Sequence, residues 1–299
     1  MSCFSVAAAQ YPIDRLSSWE DYVAKLSRWI DGAVGSGSKL LVFPEYAAME
    51  LASLDPATMG DLAGSLTFVS SLAAKVDGFH RETAMRLGVH IVAASLPVAD
   101  RAGRVVNRAR LFAPSGKVGV QDKLVMTRFE REQWTVSAGA ALRVFDTELG
   151  RIGINICYDS EFPLLARAQV EAGAHVIVVP SCTDSLQGYW RVRLGCQARA
   201  LEGQCYVVQS PTVGMADWSP AVDVNRGAAG VFAPPDGAFP DDGVVALGDC
   251  DMPQWVLADI DTARVDALRA AGGVLNTRHW PEQPGASPLP GVEVVSLLE

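Results

Sequence analysis

A thiol, a carboxylate and an ammonium together make a workable catalytic set, and this 299-residue sequence puts one of each in the same kind of place. Glu45 closes the stretch "LLVFPE", Lys123 closes "VGVQDK", and Cys157 closes "IGINIC". Each sits just past the carboxyl end of an apolar run that reads as a strand, and sites in α/β sheets gather at that end. Taken singly, each has a plain reading: Glu45 as a polar residue after a strand, Lys123 as the solvated end of a hairpin, Cys157 as a small buried hydrophobe. Together they are chemically complementary. A cysteine nucleophile needs a base and a group that stabilises the oxyanion. In a desolvated site a glutamate can take the thiol proton, because burial raises the carboxylate's pKa while a nearby ammonium offsets the charge of the forming thiolate. The Tyr158 backbone N–H, at the turn after the thiol, can join Lys123 as an oxyanion donor.

Histidine, the usual partner of a catalytic thiol, is badly placed here. His90 and His175 open their strands, at the opposite edge from Cys157, while His80 lies within a helix and His279 in the tail. Acids crowd the thiol instead, in "CYDSEFP", and a carboxylate raises a thiol's pKa. With one cation in the site, charge balance keeps the thiol protonated until substrate arrives.

The elements that position these residues follow from apolar patterning. Strands are expected over 3–10, 39–46 (cut off by Pro44), 89–95, 175–181, 205–211 and 254–261, with hairpins over 105–123 and 141–157 turning at "PSG" and "ELG". Helices are expected over 17–37, 66–87, 163–172 and 189–202, with a last short one ending at Ala271. The strands are continuously apolar, so both faces are covered. Two sheets packed face to face with helices on each outer side satisfy that, which gives an α/β sandwich. The Pro-rich tail from Gly272 cannot build a core alone and is expected to lie on another surface, so residues 1–271 read as one domain and 272–299 as a tail, packed on that domain or at a subunit interface. A composition of 49% hydrophobic and 20% charged residues is that of a globular protein. The net charge of −9 argues against nucleic acid and against polybasic membrane contact. The N-terminus lacks a basic leader region, and no run is long enough to span a bilayer. Six scattered cysteines without a C-x-x-C pair point to reduced thiols in a cytoplasmic protein and away from zinc.

The motifs "FPE", "DKL" followed by Glu130, and "CYDSEFP" resemble the Glu–Lys–Cys signature of the nitrilase, or carbon–nitrogen hydrolase, superfamily. The likeness runs on through "GYWRVRLGCQARALEGQCYVVQS" and "GVFAPPDG", covering roughly residues 3–262. "QDKLVMTRFERE" looks most like a branch that in some relatives is fused to an acetyltransferase domain, and no such domain is expected here. The resemblance implies a four-layer αββα sandwich, a homodimer or larger assembly, and a thioester mechanism that needs no cofactor or metal. It makes Glu45 the general base, Lys123 the stabiliser of the tetrahedral intermediate and Cys157 the nucleophile. Glu130 matches the family's second glutamate, orienting Lys123 or helping to protonate the leaving amine, with Glu132 as its neighbouring competitor.

The leading expectation is an amidase acting on a small linear non-peptide amide. Nitrile or N-carbamoyl hydrolysis, or acyl transfer to an amine, would run through the same thioester. A catalytically silent binding protein is the reading of another class. Tyr46, Cys182 and Thr183 are candidates to line the substrate pocket with Tyr158 and Glu161, and Trp134, Tyr189 and Trp190 to wall it. Relatives that act on carboxylate-bearing amides often carry arginine where this chain has Glu161. That position lacks a carboxylate clamp, so Glu161 either favours amine-bearing or neutral substrates, or caps the helix from Pro163 or pairs with a protein arginine.

Overall fold

A computed structural model of the chain describes residues 3–100, 102–283 and 291–298. Its centre is the first apolar run, Cys3–Pro12 (β1), followed by the helix Trp19–Gly35 (α1) and the strand Leu40–Val42 (β2). Side chains alternate across a strand. Val6, Ala8, Leu40 and Val42 therefore enter a core between two sheets, while Ala7, Ala9, Leu41 and Phe43 pack under the α1 side chains Tyr22, Leu26 and Ile30. The helices Leu62–Ser71 (α2) and Ala73–Leu87 (α3) cover the same outer face. Strands His90–Ala99 (β3), Val105–Phe112 (β4) and Val118–Asp122 (β5) complete the first sheet, in which β1, β2 and β3 are parallel and β4 and β5 antiparallel.

After the short helix Arg128–Glu132 (α4), the chain builds a second sheet. Leu142–Thr147 (β6) and Gly150–Ile154 (β7) form a hairpin, joined in parallel by Val176–Ser181 (β8) and Tyr206–Met215 (β9). Helices Pro163–Glu171 (α5) and Leu186–Gly203 (α6) sit outside it and bury Ala166, Val170, Val192, Cys196 and Ala200. Val224–Asn225 (β10) and Gly230–Phe232 (β11) add antiparallel to β9, and Val244–Leu247 (β12) pairs with β11. Gln254–Asp261 (β13) returns to run antiparallel to β1, then the helices Thr262–Ala271 (α7) and Asn276–His279 (α8) follow. Two parallel pairs, Tyr11 with Thr212 and Pro12 with Val213, stitch β1 to β9 and so join the sheets at one seam. The layering is helix, sheet, sheet, helix: the four-layer αββα sandwich.

The structure corrects the element boundaries in three places. The helix expected over 66–87 is two helices that meet at Leu72. Ser65, Thr67 and Ser71 each donate a hydroxyl to a carbonyl three or four residues back, a local bond that competes with helix continuation. The strand expected over 39–46 is only Leu40–Val42, because Pro44 has no N–H to give and Tyr46 turns into the left-handed region at φ 53°. The tail holds a strand of its own, Val292–Ser296 (β14), parallel to β6 at the far edge of the second sheet. Among the described residues, no helix is long and apolar enough to cross a membrane.

Candidate active site

The seam brings the two halves of the site together. From the first sheet come Glu45, beyond β2, Asn107, within β4, and Lys123, one residue past β5. From the second come Cys157, beyond β7, and Cys182, one residue past β8. Backbone bonds fix Lys123 in place: its N–H donates to Asn107 O at 2.9 Å, and its carbonyl accepts from Gly139 N at 2.8 Å. Cys157 adopts φ 48°, a left-handed conformation that is costly for a residue with a Cβ, and it opens a 3₁₀ turn over Cys157–Glu161. The first N–H groups of such a turn have no acceptor within it, and Tyr158 is its second residue. Glu130 is placed by a capping box: Thr127 caps α4 and accepts from Glu130 N, while the Glu130 carboxylate reaches back to Thr127 N at 2.9 Å.

Lys123 Nζ donates to Glu45 Oε1 at 2.8 Å and to Glu130 Oε2 at 2.6 Å, with only 1% of its side chain exposed. Burial works against that charge, but the two carboxylates outweigh it and hold the Lys123 pKa well above the ordinary lysine value. The two acids are driven apart. Burial raises Glu45, against the pull of Lys123 and with the repulsion of Glu130. Burial pushes Glu130 up as well, but Lys123, the Thr127 N–H and the Tyr46 hydroxyl (2.9 Å) leave it below the ordinary value. Two carboxylates separated in this way are suited to different acid–base duties. Glu45 is further held by Asn107 Nδ2 at 2.9 Å on Oε1 and by Cys182 N at 3.0 Å on Oε2. Desolvation and the neighbouring Glu45 carboxylate raise the Cys157 thiol well above its ordinary value, so at rest it carries its proton, 3.8 Å from Cys182 O.

These groups open into a cavity of about 460 Å³. Tyr46, Tyr158, Glu161, Cys182 and Thr183 all line it, as does Trp134, whose ring packs on Tyr46 with centroids 4.7 Å apart. Tyr189 and Trp190 do not: Tyr189 is buried and accepts from Arg193, and Trp190 faces outward. Glu132 is no competitor, being an exposed partner of Arg128. Glu161 does not cap α5, whose N-cap position is Phe162; it lines the cavity and pairs with Arg191 at 3.3 Å.

Two residues escape the sequence reading, and a third has a different role from the one read there. Asn107 is a polar residue inside a strand, and only the pairing of β4 with its neighbours shows that it faces the acids. Arg191 lies on the surface of a helix, thirty positions from its partner. Asp159 was counted among the acids crowding the thiol, yet its carboxylate accepts backbone N–H from Leu124, Val125 and Ile156 at 2.8–3.1 Å. It thereby ties the loop after Lys123 to the turn that carries Cys157. Burial pushes its carboxyl up to about 7, with Lys123 and the three N–H groups pulling the other way. Asp159→Asn turns one of those acceptor oxygens into a donor facing a donor. A loss of about 1–3 kcal/mol in urea unfolding is expected, with kcat falling together with stability; unchanged values of both would show that the tie is idle.

The family model for the carbon-nitrogen hydrolases matches residues 5–250. The chain belongs to that family. Among curated proteins, this carbon-nitrogen hydrolase is 35% identical to the probable hydrolase YhcX of Bacillus subtilis over 269 residues, 90% of this chain but 52% of YhcX. The chain thus spans about half the length of that relative. It is 27% identical to the omega-amidase NIT2 of Danio rerio over 220 residues, covering 69% of this chain and 73% of that protein. Its fold matches the carbon-nitrogen hydrolase of Helicobacter pylori G27 with a TM-score of 0.71 at 18% identity, over 93% of each chain. Nothing in these names bears out the finer likeness to an acetyltransferase-fused branch.

Proposed function

We propose that this carbon-nitrogen hydrolase is an amidase for a small linear amide, working through a thioester on Cys157. The observation that carries the reading is the buried Glu45–Lys123–Glu130 array, with Lys123 held at 2.8 and 2.6 Å between acids of opposite pKa displacement, beside a thiol that keeps its proton. Glu45 takes the thiol proton as Cys157 Sγ attacks the amide carbonyl carbon. The carbonyl oxygen becomes an oxyanion facing Lys123 and the Tyr158 N–H. Collapse of the tetrahedral species breaks the C–N bond, and the proton held by Glu45 leaves on ammonia or an amine. Water then gives a proton to Glu45 and attacks the thioester, and the carboxylic acid departs as the thiol is re-formed. Glu130 is a positioning residue for Lys123, and Asn107 for both acids.

Burial of Glu45 sets the pH dependence. Below its raised pKa Glu45 is protonated and cannot accept the thiol proton, so kcat/KM should fall tenfold per pH unit on the acid side. The midpoint of that limb should lie above the ordinary glutamate value of about 4.3. A profile measured from pH 4 to 9 that stays flat down to pH 4.5 would remove Glu45 as the base. The substrate class is tested by mixing the protein with a panel of small amides, nitriles and N-carbamoyl compounds and reading intact mass for an adduct on Cys157. Adducts and turnover confined to the nitriles or carbamoyl compounds would replace the amidase reading, and no adduct with any member would favour a silent binding protein.

A further inference from the structure

Resting on the amidase reading of this same cavity, we infer that Glu161 and Arg191 form a charge filter at its mouth that selects amides with a positively charged tail over those with a carboxylate tail. The cavity's charged lining is unequal: Glu45, Glu130, Glu161, Asp184 and Asp223 against Lys123 and Arg191. Both cations are already engaged. Lys123 is held between Glu45 and Glu130, and Arg191 Nε donates to Glu161 Oε1 at 3.3 Å. Asp184 and Asp223, by contrast, have no ion-pair partner among the described residues. A carboxylate tail reaching the mouth would have to take Arg191 away from Glu161 and would then face Asp184 and Asp223 as well. An ammonium tail meets uncompensated negative charge and displaces nothing. Specificity of this kind comes as much from repelling the wrong partner as from holding the right one.

The pair is also adjustable, because its members differ in freedom. Glu161 lies on the 3₁₀ turn that starts at Cys157, with 23% of its side chain exposed, whereas Arg191 is 61% exposed on the first turns of α6. Glu161 is thus the more constrained member, positioned by the same turn as the thiol, and Arg191 the more exposed one. Removing the acid frees an arginine at the cavity wall, and a free arginine is the residue suited to a carboxylate. Removing the arginine leaves Glu161 unpaired and strengthens the preference for a cation.

The test uses three matched amides that differ only at the tail, 4-aminobutanamide, butanamide and succinamate, together with their six-carbon counterparts. Dissociation constants are measured by calorimetry on protein carrying Cys157→Ala, so that the readout does not require turnover. The selectivity is the ratio of affinities for the ammonium and carboxylate tails. In the Cys157→Ala background that ratio should exceed one at either length. Adding Glu161→Gln should lower it by about two- to fivefold, the range one partly exposed ion pair carries. Adding Arg191→Gln should move it the opposite way. Opposed shifts in two variants are not produced by a general loss of folding, which lowers both affinities together. Tighter binding of succinamate and its longer counterpart in the Cys157→Ala protein overturns the filter, as does a ratio indifferent to both substitutions. Failure of the amidase reading shows elsewhere, as absence of an adduct on Cys157 in the unmodified protein.

Discussion

Cys157→Ala is expected to abolish turnover while leaving the fold intact. Losing a nucleophile that works together with its base and oxyanion donors typically costs about 10⁴-fold or more in kcat, because the partners have nothing left to assist. No other thiol can take over. Cys182, the nearest in the cavity lining, donates to Asn225 Oδ1 at 3.4 Å, and burial pushes its thiol up to about 12. Cys196 and Cys205 are buried in the core beneath α6. The structural cost should be small, about 1 kcal/mol, since one buried sulfur is exchanged for a hydrogen and alanine has the same Cβ in the left-handed region. Intact mass after mixing with an amide should show an adduct on the parent and none on the variant. An alanine variant with parental activity would end the case for Cys157.

Lys123→Arg should fall almost as far, although it preserves the charge. The ammonium sits at a point 2.8 Å from Glu45 and 2.6 Å from Glu130, with no room to spare at 1% side-chain exposure. A guanidinium is planar and wider, so it cannot meet both carboxylates and an oxyanion from that one position. Loss of an oxyanion donor costs about 10²–10³ in kcat, and that is the expected fall at temperatures where both proteins remain folded. The neutral Lys123→Met would leave Glu45 and Glu130 buried without their cation, destabilising the fold by about 3–5 kcal/mol. The arginine variant is therefore the cleaner reading of catalysis. If it turns over substrate within a few-fold of the parent, Lys123 serves the fold and not the reaction.

Much of this was legible in the order of residues because the site is built at strand ends. Glu45, Lys123 and Cys157 each follow an apolar run, and parallel strands deliver such residues to a common edge. Glu130 was reachable on family resemblance, and a purely local signal also existed: "TRFE" has the threonine and glutamate spacing of a capping box. What could not be read depends on which strands are neighbours. Asn107 looks like any strand asparagine until β4 is set between β3 and β5. Asp159 looks like a hazard to the thiol until its three backbone donors are seen to come from two separate loops. The β14 strand pairs with a segment 150 positions earlier, a register that no local pattern encodes.

The seam between the sheets also bears on how the site is put together. Within the first sheet Lys123 lies 78 positions from Glu45, and across the seam Cys182 lies 137 positions from the carboxylate it holds. Contacts so distant in sequence carry a loop-closure cost that must be met before they hold. A chain with only its first sheet in place owns the carboxylate of Glu45 and the cation of Lys123 but no thiol, and one with only its second owns a thiol and no partner. The group is thus complete only where the two sheets meet. A copy in which the two sheets stand apart holds its cysteine without the Glu45 and Lys123 that flank it in the native site.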